Sequence, residues 1–239
     1  MSEPVRLSKR LIELMSFSRN EAQKYIEGGW VLVDGEVIDE PQFMVLDQKI
    51  TMHPDATLAP APPMTILFHM PKGYNAGAPT EALSYIKPET REANDASGIR
   101  TLKRHFARLA ATAPLEARAT GLMVFSQDGR VVRRLVKDSS RNEQEYIVEV
   151  SGDIEQGGLE RLNRRMKQNN VELPAAKVSW QNETRLRFAF KDVRPSQIEF
   201  MCNSVGLTVE AMKRIRIGRI PLAKLPPGQW RYLSPGILF

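Results

Sequence analysis

Residues 114–129, PLEARATGLMVFSQDG, decide how the larger part of this 239-residue chain is read. Leu122 to Phe125 form an unbroken apolar run, which with its flanks GLMVFS reads as a buried strand. Gln127-Asp128-Gly129 ends it, and RVVRRLVKD (130–138) resumes at helical spacing. Ahead of the strand lies a single carboxylate, Glu116, which taken alone reads as an ordinary solvated loop residue.

Working outward, TILFHM (65–70) reads as a strand, followed by the loop PKGYNAG (71–77), a short helix TEALSYI (80–86) and a polar loop at 88–98. Downstream come a strand EYIVEVSG (145–152), a helix over 157–167, a hairpin AKVSWQNETRLRFAF (176–190), a helix SQIEFMCNSVG (196–206) and a strand EAMKRIRIGRIPL (210–222). The alternation of polar and apolar residues in several strands predicts an α+β domain with a mixed, largely antiparallel sheet.

The first 57 residues form a separate pattern. RLSKRLIELM (6–15) places Leu7, Leu11, Leu14 and Met15 at helical spacing. Ser18 with Glu21 three residues later predicts a capping box opening the helix RNEAQKYIE, which stops at Gly28-Gly29. WVLVDGEVI (30–38) predicts a hairpin turning at Asp34-Gly35, since both turn positions need positive φ. The result is a small α-α-β module at 1–57. Pro60, Pro62 and Pro63 make 58–63 a stiff extended linker, and 64–239 is expected to be one larger domain.

The formal charge of +6 favours an anionic partner, nucleic acid first. Residues 1–56 carry 6 Lys/Arg against 10 Asp/Glu, yet Arg6, Lys9, Arg10, Arg19 and Lys24 crowd its two helices. One cysteine, Cys202, allows no internal disulfide, and three scattered histidines lack ligand spacing, so neither a disulfide framework nor a metal site is expected. Without an apolar leader or a membrane-length apolar run, the expectation is a soluble cytoplasmic monomer. Ile99 to Phe106 reads equally as a phosphate-binding stretch or a solvated helix face, and the basic row Lys213, Arg214, Arg216, Arg219 as an RNA track or a solubilised strand.

RLSKRL and SRNEAQKYIEGGWVLVDGEVI resemble the S4 RNA-binding domain. From about residue 64 to 233, HMPKGYNAG, ATGLMVFSQDG, EYIVEV and VGLTVEAMKRIRIGRIPLAKLPPGQWRYL, in that order, resemble the catalytic domain of the S4-bearing bacterial ribosomal RNA pseudouridine synthases. The resemblance implies isomerisation of uridine to pseudouridine in ribosomal RNA: the base is flipped out, detached, rotated and rejoined through carbon, without a cofactor. It further implies an aspartate acting at the ribose within R-L-D-x-x-T-x-G-L, a tyrosine stacking on the base, and a basic residue in a late Q-I-R/K motif pairing with the aspartate.

This chain departs from that pattern. Glu116 stands at the aspartate position and Pro114 at the arginine before it; Gln144 replaces a lysine two residues ahead of the stacking Tyr146; Glu199 and Phe200 occupy basic positions after Gln197 and Ile198. Opposed Glu116 and Glu199 would raise a carboxyl pKa, and Arg118 or Arg194 is left as a substitute cation. The implied catalytic residues are therefore Glu116 and Tyr146, and the implied RNA contacts Arg6, Lys9, Arg19, Lys24, Lys72 and Gln197. The expected function is an RNA pseudouridine synthase acting on ribosomal RNA, with Glu116 weighing against full activity. The alternative is a non-catalytic RNA-binding relative acting in ribosome assembly.

Overall fold

The structure is a computed structural model; it describes residues 3–73, 79–112, 114–116 and 118–239, with side chains in the helix Pro79–Leu83 described from Glu81 onward. Most of the loop expected at 71–77 lies outside the described residues. The chain divides into two compact units, one of residues 1–63 with 100–107, the other of 64–99 with 108–239.

Local chemistry builds the first unit much as its sequence predicts. Helix Leu7–Met15 buries Leu7 and Leu11. Helix Arg19–Glu27 opens on the reciprocal pair of hydrogen bonds between Ser18 and Glu21, Glu21 N–H donating to Ser18 Oγ (3.2 Å) and Ser18 N–H to Glu21 Oε2 (2.8 Å). Strands Val31–Val33 and Glu36–Val37 turn at Asp34 (φ 50°) and Gly35 (φ 89°), and Ile50–Met52 completes a three-stranded sheet. Leu7, Leu11, Ala22, Ile26, Val31, Val33 and Val45 close one core.

The expectation that 64–239 forms one body needs correction at Arg100–Ala107, which belongs to the first unit. Arg100 Nη1 donates to Gly29 O (2.8 Å), Arg104 Nη2 to Ala61 O (3.1 Å), Lys103 pairs with Glu40, and Leu102 packs against Gly29. Neither a phosphate-binding stretch nor a solvated helix face describes it: its basic side chains are engaged by backbone carbonyls and an acid of the same unit.

The second unit centres on a mixed sheet whose main path runs Ala176–Asn182, Arg185–Lys191, Glu143–Ser151, Thr208–Ile217, Ala119–Ser126, Thr65–Met70, Trp230–Tyr232. Along that path only Thr208–Ile217 and Ala119–Ser126 run parallel. Every residue of Thr65–Met70 and nearly every one of Ala119–Ser126 is buried, which explains their continuous apolar runs. Helix Gly129–Val136, capped by Asp128, lays Val131 and Leu135 against Leu122, Val124, Ile217 and Ile220. The helix expected at 157–167 covers only Gly158–Leu162. A small hairpin pairs Lys167–Gln168 with Val171–Glu172, turning on Asn169 (φ 51°) and Asn170 (φ 62°), residues that tolerate left-handed backbone.

One contact sets the spacing at the sheet's centre. Gly121 has φ 102°, and a Cβ there would lie 2.2 Å from Arg214 O on the neighbouring strand. Only glycine permits both the dihedral and the approach. Gly121→Ala should therefore cost about 3 kcal/mol or more in urea-induced unfolding, well above the ordinary Gly-to-Ala effect.

Candidate active site

Strand Glu143–Ser151 turns Gln144, Tyr146, Val148 and Val150 inward by simple alternation. Tyr146 faces Arg214 of the adjacent strand in register. The segment Pro114–Glu116 leads into strand Ala119–Ser126, where Ala119 N–H donates to Glu116 O (2.9 Å). These elements enclose a cleft of about 440 Å³ whose lining includes Glu116, Ser139, Gln144, Tyr146, Asp192 and Arg194. Leu135, Val136, Val193 and Pro195 supply apolar walls.

Beneath the cleft, Arg214 is fully buried. Its Nε and Nη2 donate to Leu122 O (2.9 and 2.7 Å), and its Nη1 to Pro114 O (3.2 Å) and Gln144 Oε1 (3.0 Å). Gln144 Oε1 also accepts from the Tyr146 hydroxyl (3.0 Å). Burial pushes the Tyr146 phenol above its ordinary pKa, against the opposing pull of Arg214. The ring is 2% exposed and stacks on Phe190 at 5.9 Å, so what Tyr146 offers the cleft is a small part of a fixed surface.

Glu116 lines the cleft, and among the described residues its carboxylate forms no ion pair. Burial raises its carboxyl pKa first of all; the Ser196 backbone N–H offsets part of the rise, and the charge of Glu199 adds to it. Among the described residues Glu116 Oε1 has no hydrogen-bond partner. Of the three influences the charge of Glu199 is the smallest, and it acts in the direction expected of opposed carboxyls. Arg194 reaches the cleft lining; Arg118 is exposed and is not part of it.

Arg214 is the residue that sequence reasoning missed. The row Lys213, Arg214, Arg216, Arg219 was expected on one exposed face, but register shifts between Arg214 and Arg216 break the alternation. Arg214 therefore points inward, while Arg216 turns out to pair with Glu143 and Glu145. The parity of Tyr146 together with an irregular strand opposite was the signal available, and periodicity alone does not carry it. Gln197, expected to touch RNA, is fully buried: its Nε2 donates to Pro174 O (2.8 Å) and its Oε1 accepts from Arg194 N–H (3.2 Å). Both ends of the amide are occupied by backbone, and no surface remains for RNA.

Arg6, Lys9, Arg19 and Lys24 are all exposed on the first unit, as is Lys72 on the second. Arg6 and Arg19 line one groove with Ser8 and Gln23, whereas Lys9 and Lys24 are not part of it. Among the described residues none of these five side chains forms an ion pair. Cys202 is buried, and its thiol is pushed up to about 12, which leaves it un-ionised near neutral pH.

Comparison with known proteins falls on the same two parts. Residues 5–48 match the S4 domain family. An RNA pseudouridine synthase of Aquifex aeolicus, described as uncharacterized, is 26% identical over 96% of this chain and 93% of its own length. The ribosomal large subunit pseudouridine synthase B of Escherichia coli K12 is 29% identical over 98% of this chain and 80% of its own. A crystal structure of a pseudouridylate synthase superimposes with a TM-score of 0.60 over 96% of both chains at 17% identity, which establishes a shared fold. The chain is thus similar over nearly its whole length to RNA pseudouridine synthases, carries an S4-domain match at its start and shares the pseudouridylate synthase fold.

The electrostatics of Glu116 have a measurable sign. Below the ordinary value of 4.5 the carboxyl is protonated in folded and unfolded chains alike, and Glu116→Gln should leave stability unchanged. As pH rises through the raised folded value, the wild type is left with a desolvated charge beside Glu199. The variant should then become the more stable, with thermal unfolding from about pH 4 to 8 showing a gap that opens with pH.

Proposed function

We propose that this protein is an RNA pseudouridine synthase acting on ribosomal RNA, with Glu116 as the group that attacks at the ribose and Tyr146 against the flipped uracil. The observation that carries this reading is the convergence of Glu116 and Tyr146, 30 positions apart and singled out by separate motifs, on one cleft with apolar walls. A flipped nucleotide needs such a recess, because the glycosidic carbon is unreachable in a stacked strand. Breaking the glycosidic bond and rejoining the same uracil through carbon leaves composition unchanged, so the reaction calls for neither cofactor nor metal. Attack by Glu116 requires the ionised form, and burial and the charge of Glu199 act against that form.

On this reading residues 1–57 grip RNA through Arg6, Lys9, Arg19 and Lys24, residues 58–63 link, and residues 64–239, less the Arg100–Ala107 segment, carry the chemistry. Lys72 adds a cation on the catalytic unit. Among the described residues no helix is long and apolar enough to cross a membrane, and we place the work in the cytoplasm with the protein acting as a monomer. A second reading, RNA binding without chemistry in ribosome assembly, has in its favour the unpartnered Oε1 of Glu116 and the proximity of Glu199.

Pseudouridines in ribosomal RNA should be mapped in cells with and without the gene, and in the deletion strain complemented with wild type or Glu116→Ala. A mark that vanishes on deletion and returns only with the glutamate form is expected; an unchanged map would leave the non-catalytic reading standing. Independently, neutralising Arg6, Lys9, Arg19 and Lys24 together should flatten the log–log dependence of RNA affinity on salt by about three units. An unchanged slope would remove the proposed grip.

A further inference from the structure

Among the described residues, Arg194 is the only basic one lining the cleft that holds Glu116 and Tyr146. Arg214 lies beneath but is wholly buried, with its guanidinium directed at backbone carbonyls and Gln144, and it has no path to a phosphate. Arg187 and Arg216 are held in ion pairs with Glu145. Arg194 is exposed, and among the described residues its guanidinium forms no hydrogen bond or ion pair.

An exposed arginine on a loose loop would be an ordinary solvated charge. Arg194 is not on a loose loop. Its N–H donates to Gln197 Oε1 (3.2 Å), its C=O accepts from Gln197 N–H (3.1 Å), and the same buried glutamine is anchored to Pro174 O (2.8 Å). On either side the backbone is driven into left-handed conformations by non-glycine residues, Asp192 (φ 52°) and Ser196 (φ 57°). Such dihedrals are unfavourable for residues with a side chain and persist where the surrounding structure enforces them. The fold therefore spends a buried glutamine and two strained residues on fixing the backbone from which one free guanidinium projects at the cleft.

We propose that Arg194 contacts the RNA phosphate adjoining the nucleotide that enters the cleft. The inference rests on the RNA reading of the cleft above. Among the described residues the remaining charges there are acidic, with Glu116 and Asp192 in the lining and Glu199 within electrostatic reach, so a polyanion approaching them meets repulsion that Arg194 offsets. A planar guanidinium held at its backbone suits a phosphate because it donates two parallel hydrogen bonds with little further ordering.

The test measures affinity of the full chain for unmodified ribosomal RNA, transcribed in vitro, across a salt series, for wild type, Arg194→Gln and Arg194→Lys. Arg194→Gln should weaken binding roughly fivefold at low salt and reduce the log–log salt slope by about one. Arg194→Lys should restore most of the slope, because it keeps the charge and loses only the fork. Arg194 is exposed, so both variants should unfold at the wild-type temperature, which separates a lost contact from a lost fold. Arg194→Gln with unchanged affinity and slope would overturn the proposal while leaving the RNA reading intact. Failure of the wild type to bind would overturn the RNA reading itself, and the proposal with it. Turnover enters none of these measurements, so a catalytically silent cleft would not obscure the answer.

Discussion

The close approach of Gly121 to the backbone of Arg214 fixes the centre of the second unit. Strands Ala119–Ser126 and Thr208–Ile217 run parallel there, and a side chain at residue 121 would occupy the space of Arg214 O. Because the two backbones meet, the Arg214 side chain is delivered beneath the loop Pro114–Glu116 and beside Tyr146. From there its guanidinium ties three things together: strand Ala119–Ser126 through Leu122 O, the glutamate-bearing loop through Pro114 O, and the inner face of Glu143–Ser151 through Gln144. The cleft is a consequence of that arrangement. Its floor is as rigid as the sheet, while its rim is formed by the separate loop around residues 192–195.

The same arrangement accounts for Gln144 in a position where the resemblance leads one to expect lysine. Its side-chain oxygen accepts from Arg214 Nη1 and from the Tyr146 hydroxyl at 3.0 Å each. A lysine ammonium has no lone pair to offer either donor and would set a second positive charge against the guanidinium in a desolvated setting. An amide satisfies both. A neutral residue at 144 also adds no further charge near a carboxyl whose pKa burial and Glu199 already raise. The substitutions at 116, 144 and 199 are therefore mutually consistent, and they share one electrostatic logic.

Much of this was legible in the sequence where the determinants are local. The capping box at Ser18 and Glu21 and the Asp34-Gly35 turn are each set by residues a few positions apart, and the fold reproduces both. Glu116 and Tyr146 were legible because they sit in motifs that report position without any need to know the tertiary path. What stayed hidden depends on contacts far apart in sequence. Arg214 reads as one of four exposed cations until register shifts against Glu143–Ser151 turn it inward. Gln197 reads as a polar helix residue until Pro174 is brought to its amide. Arg100 to Ala107 carries four positive or titratable side chains in eight residues, and only the proximity of Gly29, Glu40 and Ala61 shows where they are engaged.

The charge on the cleft also constrains how any anionic substrate is admitted. Two unit charges 4 Å apart interact by about 1 kcal/mol in water and about 4 kcal/mol at the effective dielectric near a protein surface. A phosphate drawn toward Glu116 and Asp192 thus does more than weaken its own binding: it raises the proton affinity of Glu116 still further, in the direction that burial and Glu199 already push it. Binding and ionisation oppose each other unless a cation stands between the phosphate and the carboxylate. Arg214 is too deep to fill that place, since its protons are directed at Leu122, Pro114 and Gln144. From the rim a positive charge can screen the phosphate without entering the floor, and the backbone clamp on Arg194 lies there.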